Sequence, residues 1–145
     1  MKKLLVLGFA ILLLAGCTSI PNTPFDVSKA YMESIDKGDY KLHKKVIDWE
    51  GGNFHLYNND KGKMVLKHFQ TKFKEKYGGI IETIKISEEE KGDILLVVLL
   101  LKYMNSAEER FYFEMIQRDG KWLVHEVNSE KDNKWVKMGM FLSKV

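Results

Sequence analysis

Five side chains in this sequence have the chemistry to move protons: Tyr31, His43, His68, Tyr112 and His125. General acid–base work needs at least two such groups within hydrogen-bond reach of one substrate. No spacing among the five shows that convergence. His125 alternates with Leu123 and Val127, so it is expected to point inward. Nothing beside it in the sequence supplies a perturbing partner, which favours a satisfied core or rim histidine. Metal chemistry has less support. His43, His55, His68 and His125 share no ligand spacing, and Cys17 is the sole cysteine. His125 and Glu126, adjacent on a strand, face opposite sides. There is no phosphate loop, nucleophile elbow or His-Glu-x-x-His motif. The sequence therefore points to no catalytic set, no metal and no cofactor.

Cys17 carries the clearest chemistry. Before it stand Lys2-Lys3, an apolar and glycine run from Leu4 to Leu14, and Leu14-Ala15-Gly16. A charged start, an apolar middle and small residues before a cut site make a secretory signal peptide over 1–16. The apolar run is too short to span a bilayer, which takes roughly 20 residues. Leu14-Ala15-Gly16-Cys17 resembles the lipobox of bacterial lipoproteins. That resemblance implies cleavage between Gly16 and Cys17, a diacylglyceryl group on the Cys17 sulfur, and a membrane partner held through it. Thr18 lacks the Asp that marks inner-membrane retention in this family, so the resemblance leans to the outer membrane where two membranes exist. With a single membrane it implies the outer leaflet.

Processing changes the balance of charge. It leaves 129 of 145 residues and removes Lys2 and Lys3, so 21 basic residues face 20 acidic ones. The nearly neutral product gives no argument for nucleic-acid binding. Without a second cysteine no intrachain disulfide forms, and packing must supply the stability. Residues 17–25 read as the lipidated cysteine and an extended tether holding both prolines, Pro21 and Pro24.

Helical periodicity follows from a cap at Asp26 through Val27, Ala30, Tyr31, Ser34 and Ile35, ending at Gly38. Asp39 caps a second short helix with Leu42, Val46 and Trp49 on one side. Glu50 to Asp60 reads as loop, with Phe54 to Tyr57 a short strand within it. A third helix is expected over 63–77, stopped by Gly78-Gly79. The period then changes to two. Strands are expected from Ile80 to Ser87, over the apolar run Ile94 to Leu101, through Phe111, Phe113 and Met115, and from Trp122 to Val127. Glu88 to Asp93 reads as a charged turn, and Asp119-Gly120 as a tight hairpin. The fold class is α+β: two to three N-terminal helices packed on a curved antiparallel sheet of about four strands. The domain is placed at 26–128, and 129–145 as a packed strand or helix, or an interaction tail.

Two stretches then take on meaning: Ala30 to Tyr40, and Phe111 to Val124 with its Asp119-Gly120-Lys121-Trp122 turn. They resemble the first helix and closing hairpin of the nuclear-transport-factor-2-like, or cystatin-like, superfamily, and an uncharacterised group of lipoproteins with that fold. The resemblance implies a cone-shaped roll whose mouth is lined by Tyr31, Phe69, Phe73 and Trp122, with Tyr112 and His125 further pocket candidates. That fold hosts both enzymes and non-catalytic domains and does not choose between them. With no catalytic set in the sequence, the expected reading is a non-catalytic domain that binds an envelope protein or a small apolar ligand. The alternatives are an isomerase, dehydratase or hydrolase using an inward His or Tyr, and an immunity or inhibitor-like envelope protein.

Three surfaces remain. Six lysines and one glutamate lie between Lys61 and Lys76, and Lys41, Lys44 and Lys45 sit on the second helix. They read as a solvated face or, more sharply, as a basic surface beside anionic headgroups. Val136, Met138, Met140 and Leu142 alternate as in an added strand. The doubly apolar run Ile94 to Leu101 needs cover on both sheet faces, from the C-terminal segment or a second copy, and a symmetric homodimer through the sheet is the expected source.

Overall fold

The computed structural model describes residues 21–51, 60–131 and 134–137. The lipobox, Cys17, the Phe54 to Tyr57 strand and the alternation beyond Lys137 lie outside the described residues. Among the described residues, three helices precede an antiparallel meander of five strands in the order β1-β2-β3-β4-β5. They are α1 (Pro24–Lys37), α2 (Tyr40–Val46), α3 (Asp60–Tyr77), β1 (Ile80–Lys91), β2 (Ile94–Tyr103), β3 (Glu108–Arg118), β4 (Lys121–Lys131) and the short β5 (Lys134–Lys137). The expected α+β architecture is present. Among the described residues no helix is long and apolar enough to cross a membrane.

The first helix begins earlier than its periodicity indicated. Thr23, not Asp26, is the N-cap: its hydroxyl oxygen accepts from the Asp26 amide at 3.1 Å and donates to Asp26 Oδ2 at 2.6 Å. Asp26 is thus the third helical residue, where a carboxylate favours the positive helix end. Pro24 opens the helix rather than closing the tether, because its missing N–H costs nothing in the first turn. The exit matches expectation. Gly38 takes φ 66°, and Gly38 and Asp39 amides donate to Ile35 and Ser34 carbonyls. Asp39 then caps α2 through the Leu42 amide at 3.0 Å.

The apolar run of β2 resolves into two unequal faces. Leu95, Val97, Leu99, Leu101 and Tyr103 are buried toward the helices. On the outer face Val98 is buried, while Ile94, Leu96 and Leu100 are only half-covered. Glu88 to Lys91 do not form a turn. They extend β1, pairing with Val97 through Ile94, and the turn shrinks to Gly92-Asp93 with Gly92 at φ 64°. On an edge strand open to water, charged side chains stay solvated while the backbone pairs with β2. Asp119 (φ 50°) and Gly120 (φ 73°) make the expected tight β3–β4 turn.

The interior between helices and sheet is filled. Tyr31, Met32, Ile35, Leu66, Leu99, Phe113 and Met115 belong to one buried cluster. The Tyr31 ring meets Phe113 edge-on, with centroids 5.8 Å apart, and lies 5.0 Å from the His43 ring.

Candidate functional site

A break in β4 builds the main polar constellation. Glu126 pairs with Glu114, but Met115 pairs with Val124, so His125 is the extra residue of a β-bulge. The bulge shifts the alternation: Val124 and Val127, three apart, are both buried. The expected alternation of His125 with Val127 does not hold. His125 is instead turned toward the segment leaving α2. There Ile47 bridges to Val124 in parallel, and the Asp48 amide donates to the Val124 carbonyl at 2.9 Å. Docking on the sheet edge places the Asp48 side chain, 1% exposed, beside His125 and the end of β3.

Asp48 is held by four donors. Arg118 grips it with Nε at 2.9 Å and Nη2 at 3.2 Å, His125 Nδ1 lies at 2.9 Å, and the Gly51 backbone N–H completes the set. Burial is the largest influence on the carboxyl and pushes its pKa up. The Arg118 and His125 hydrogen bonds, the Gly51 amide and the Arg118 charge together outweigh it, so the pKa falls below its ordinary value. Asp48 holds the Arg118 guanidinium above its ordinary value in return. Gly51 must approach this closely. A Cβ there would stand 2.5 Å from Asp48 Oδ2 and 2.9 Å from Arg118 Nη2. Glu50 Oε2 lies 3.7 Å from Arg118 Nη1.

An ionised carboxylate only accepts, so His125 Nδ1 is the donor in this contact and the ring orientation is fixed by it. The His125 side chain is 30% exposed. The arrangement can therefore do two things: clamp the Trp49–Gly51 loop to the sheet, and present an oriented imidazole at the rim.

The remaining candidates do not join it. His43 is buried beneath α1, with Nδ1 2.7 Å from Ser34 Oγ, and burial lowers its pKa to about 4. His68 is exposed on α3. Tyr112 alternates with buried Phe111 and Phe113, and so lies on the outer sheet face, away from the interior. Tyr31 is sealed in the core, while Phe69, Phe73 and Trp122 pack against it as partly buried cover. The six pocket candidates therefore do not line one mouth.

Sequence reasoning missed Asp48 and Arg118, which stand 70 residues apart and meet only through the docked edge. It also missed a second network at the far end. Tyr77 stacks on Tyr103 at 4.1 Å and donates to Glu109 Oε2 at 2.5 Å. Burial first, then Glu109, pushes both phenols well above their ordinary range. Tight packing accounts for this network: Tyr103 is fully buried and Phe73 lies against both rings.

A crystal structure of a candidate NTF2-like transpeptidase from Campylobacter jejuni superposes with a TM-score of 0.56. The match covers 70% of this chain and 96% of that one, at 22% identity. The fold is NTF2-like. At that identity the likeness carries the NTF2-like architecture and not the chemistry of the neighbour. No protein-family model matches the sequence. No curated protein matches it significantly.

Proposed function

We propose that this chain is a cell-envelope lipoprotein whose NTF2-like domain is a non-catalytic binding module. The filled cone carries this reading. Tyr31, His43, Phe113 and Met115 occupy the space between helices and sheet, each 5% exposed or less. An enzyme of this shape needs convergent titratable groups open to substrate. Here the inner histidine is shut away and neutral. Partners would accordingly meet the outside of the domain. The sequence Leu14-Ala15-Gly16-Cys17 supplies the anchor. The half-covered Ile94, Leu96 and Leu100 support a second copy as cover for the outer sheet face.

One specific observation favours a second reading. The 2.9 Å contact of His125 Nδ1 with Asp48 fixes the orientation of an imidazole at the rim, the geometry a proton-transfer group needs. Asp48 is already saturated by structural donors, which makes the clamp the stronger reading.

Native mass spectrometry of the detergent-extracted protein tests both the anchor and the pairing. The expected species is two chains, each beginning at Cys17 and carrying acyl groups there. A chain retaining Met1 with an unmodified Cys17 would refute the anchor, and a single acylated chain would refute the pairing.

A further inference from the structure

We infer that the outward face of α2 and α3 docks on the anionic headgroups of the membrane that holds the anchor. The inference rests on the proposed lipid anchoring and adds an orientation to it. Lys41, Lys44 and Lys45 fall at i, i+3 and i+4 on α2, opposite the buried His43 and Val46. Lys63 and Lys67 fall at i and i+4 on α3. The two stripes meet at one ring: the ammonium groups of Lys44 and Lys63 each lie 5.8 Å from the Tyr40 centroid. Lys44 also lies 5.5 Å from the Trp49 ring.

These five lysines have no carboxylate within 4.0 Å among the described residues. The lysines further along α3 differ. Lys72 pairs with Glu75, and Lys74 with Asp36. Met64, beside Lys63 and Lys67, is 72% exposed, the most exposed large apolar side chain described. An apolar side chain amid uncompensated lysines suits a headgroup layer with acyl chains beneath it.

Charge is also polarised across the domain. α2 and α3 together carry nine lysines against Asp60 and Glu75. The β1–β2 hairpin carries Glu82, Glu88, Glu89, Glu90 and Asp93 against three lysines. An anionic surface would therefore attract the helical side and repel the β1–β2 hairpin, turning the domain as well as holding it. Reach permits this. With α1 starting at Pro24, residues 18–23 extend to at most about 20 Å. The 14 residues of α1 rise about 21 Å toward the end where α2 begins. The basic face can thus lie in the plane of the anchor.

The test places a polarity-sensitive label on Met64→Cys, or on Glu90→Cys in β1 at the far edge of the sheet, in the full acylated protein. The protein is reconstituted in phosphatidylcholine vesicles with or without phosphatidylglycerol. Acrylamide quenching of the label at 64 is expected to fall several-fold when phosphatidylglycerol is present. It should recover in 1 M salt, where screening shortens to about 3 Å. The label at 90 should not respond. Replacing all five lysines by Gln should abolish the protection while leaving the melting temperature unchanged. Equal quenching at 64 in both vesicles, or protection that survives the five substitutions, would overturn the inference. The mass of the Cys17 peptide, read on the same sample, reports separately whether the anchor itself is absent.

Discussion

Acidification from pH 7 to pH 4 is expected to cost the folded protein about 3 kcal/mol through His43 alone. The side chain is 1% exposed, with Tyr31 across its ring and Ser34 Oγ at 2.7 Å. Desolvation holds its pKa at about 4, against 6.5 for a free imidazole. Between those values the unfolded chain binds a proton that the folded chain refuses. Stability therefore falls as pH drops through 6.5, and the loss is complete near 4, where both states are protonated. His43→Phe keeps an aromatic ring against Tyr31 and removes the titration. Ser34 Oγ still donates to the Tyr31 carbonyl at 2.6 Å. Urea unfolding at successive pH values should show wild type losing stability over this window and the variant holding level. Parallel decline of the two proteins would show that His43 is not the group responsible.

The second large effect belongs to Arg118. Arg118→Ala at pH 7 should lower the urea unfolding midpoint, because it leaves a buried carboxylate with only His125 and Gly51 as donors. The loss should be smaller than for a fully buried pair, because the Arg118 side chain is 41% exposed. Asp48→Asn should cost less, since the two abandoned partners can both reach water. Adding Asp48→Asn to Arg118→Ala should then recover stability relative to Arg118→Ala alone. Acid has a matching effect. Asp48 titrates below 3.8, so its contribution is intact above that value and is lost as pH falls through the lower folded-state pKa. If Arg118→Ala proves milder than Asp48→Asn, the clamp is not what holds the Trp49–Gly51 loop.

The elements governed by local chemistry were legible in the sequence. The Asp39 cap, the Gly38 exit and the Asp119-Gly120 turn each depend on a few adjacent residues, and all three form as their types require. Thr23 was passed over because Asp26 is itself a good capping residue, and only the geometry shows the two sharing one cap. Glu88 to Glu90 mimicked a turn because an edge strand with water on both sides needs no apolar alternation. The interior of the cone was harder. Periodicity identified Tyr31, Phe111 and Phe113 as inward or alternating residues, but not that they would join one buried cluster. The site was hardest of all. His125 meets Asp48 because a one-residue bulge in β4 and a two-residue edge bridge coincide at Val124. Neither leaves a mark on the sequence, since a bulge is a property of two strands and their register.

The central claim is that the cone is a packed core and not a ligand chamber. Titration of the native protein with an environment-sensitive apolar dye tests it most directly, with Phe113→Ala as the opened control. Phe113 is fully buried, and its removal should leave a cavity that an apolar molecule can enter. No saturable dye binding by the native protein, with binding by folded Phe113→Ala, is the predicted result. Saturable one-site binding to the native protein, competed by small apolar ligands, would contradict it.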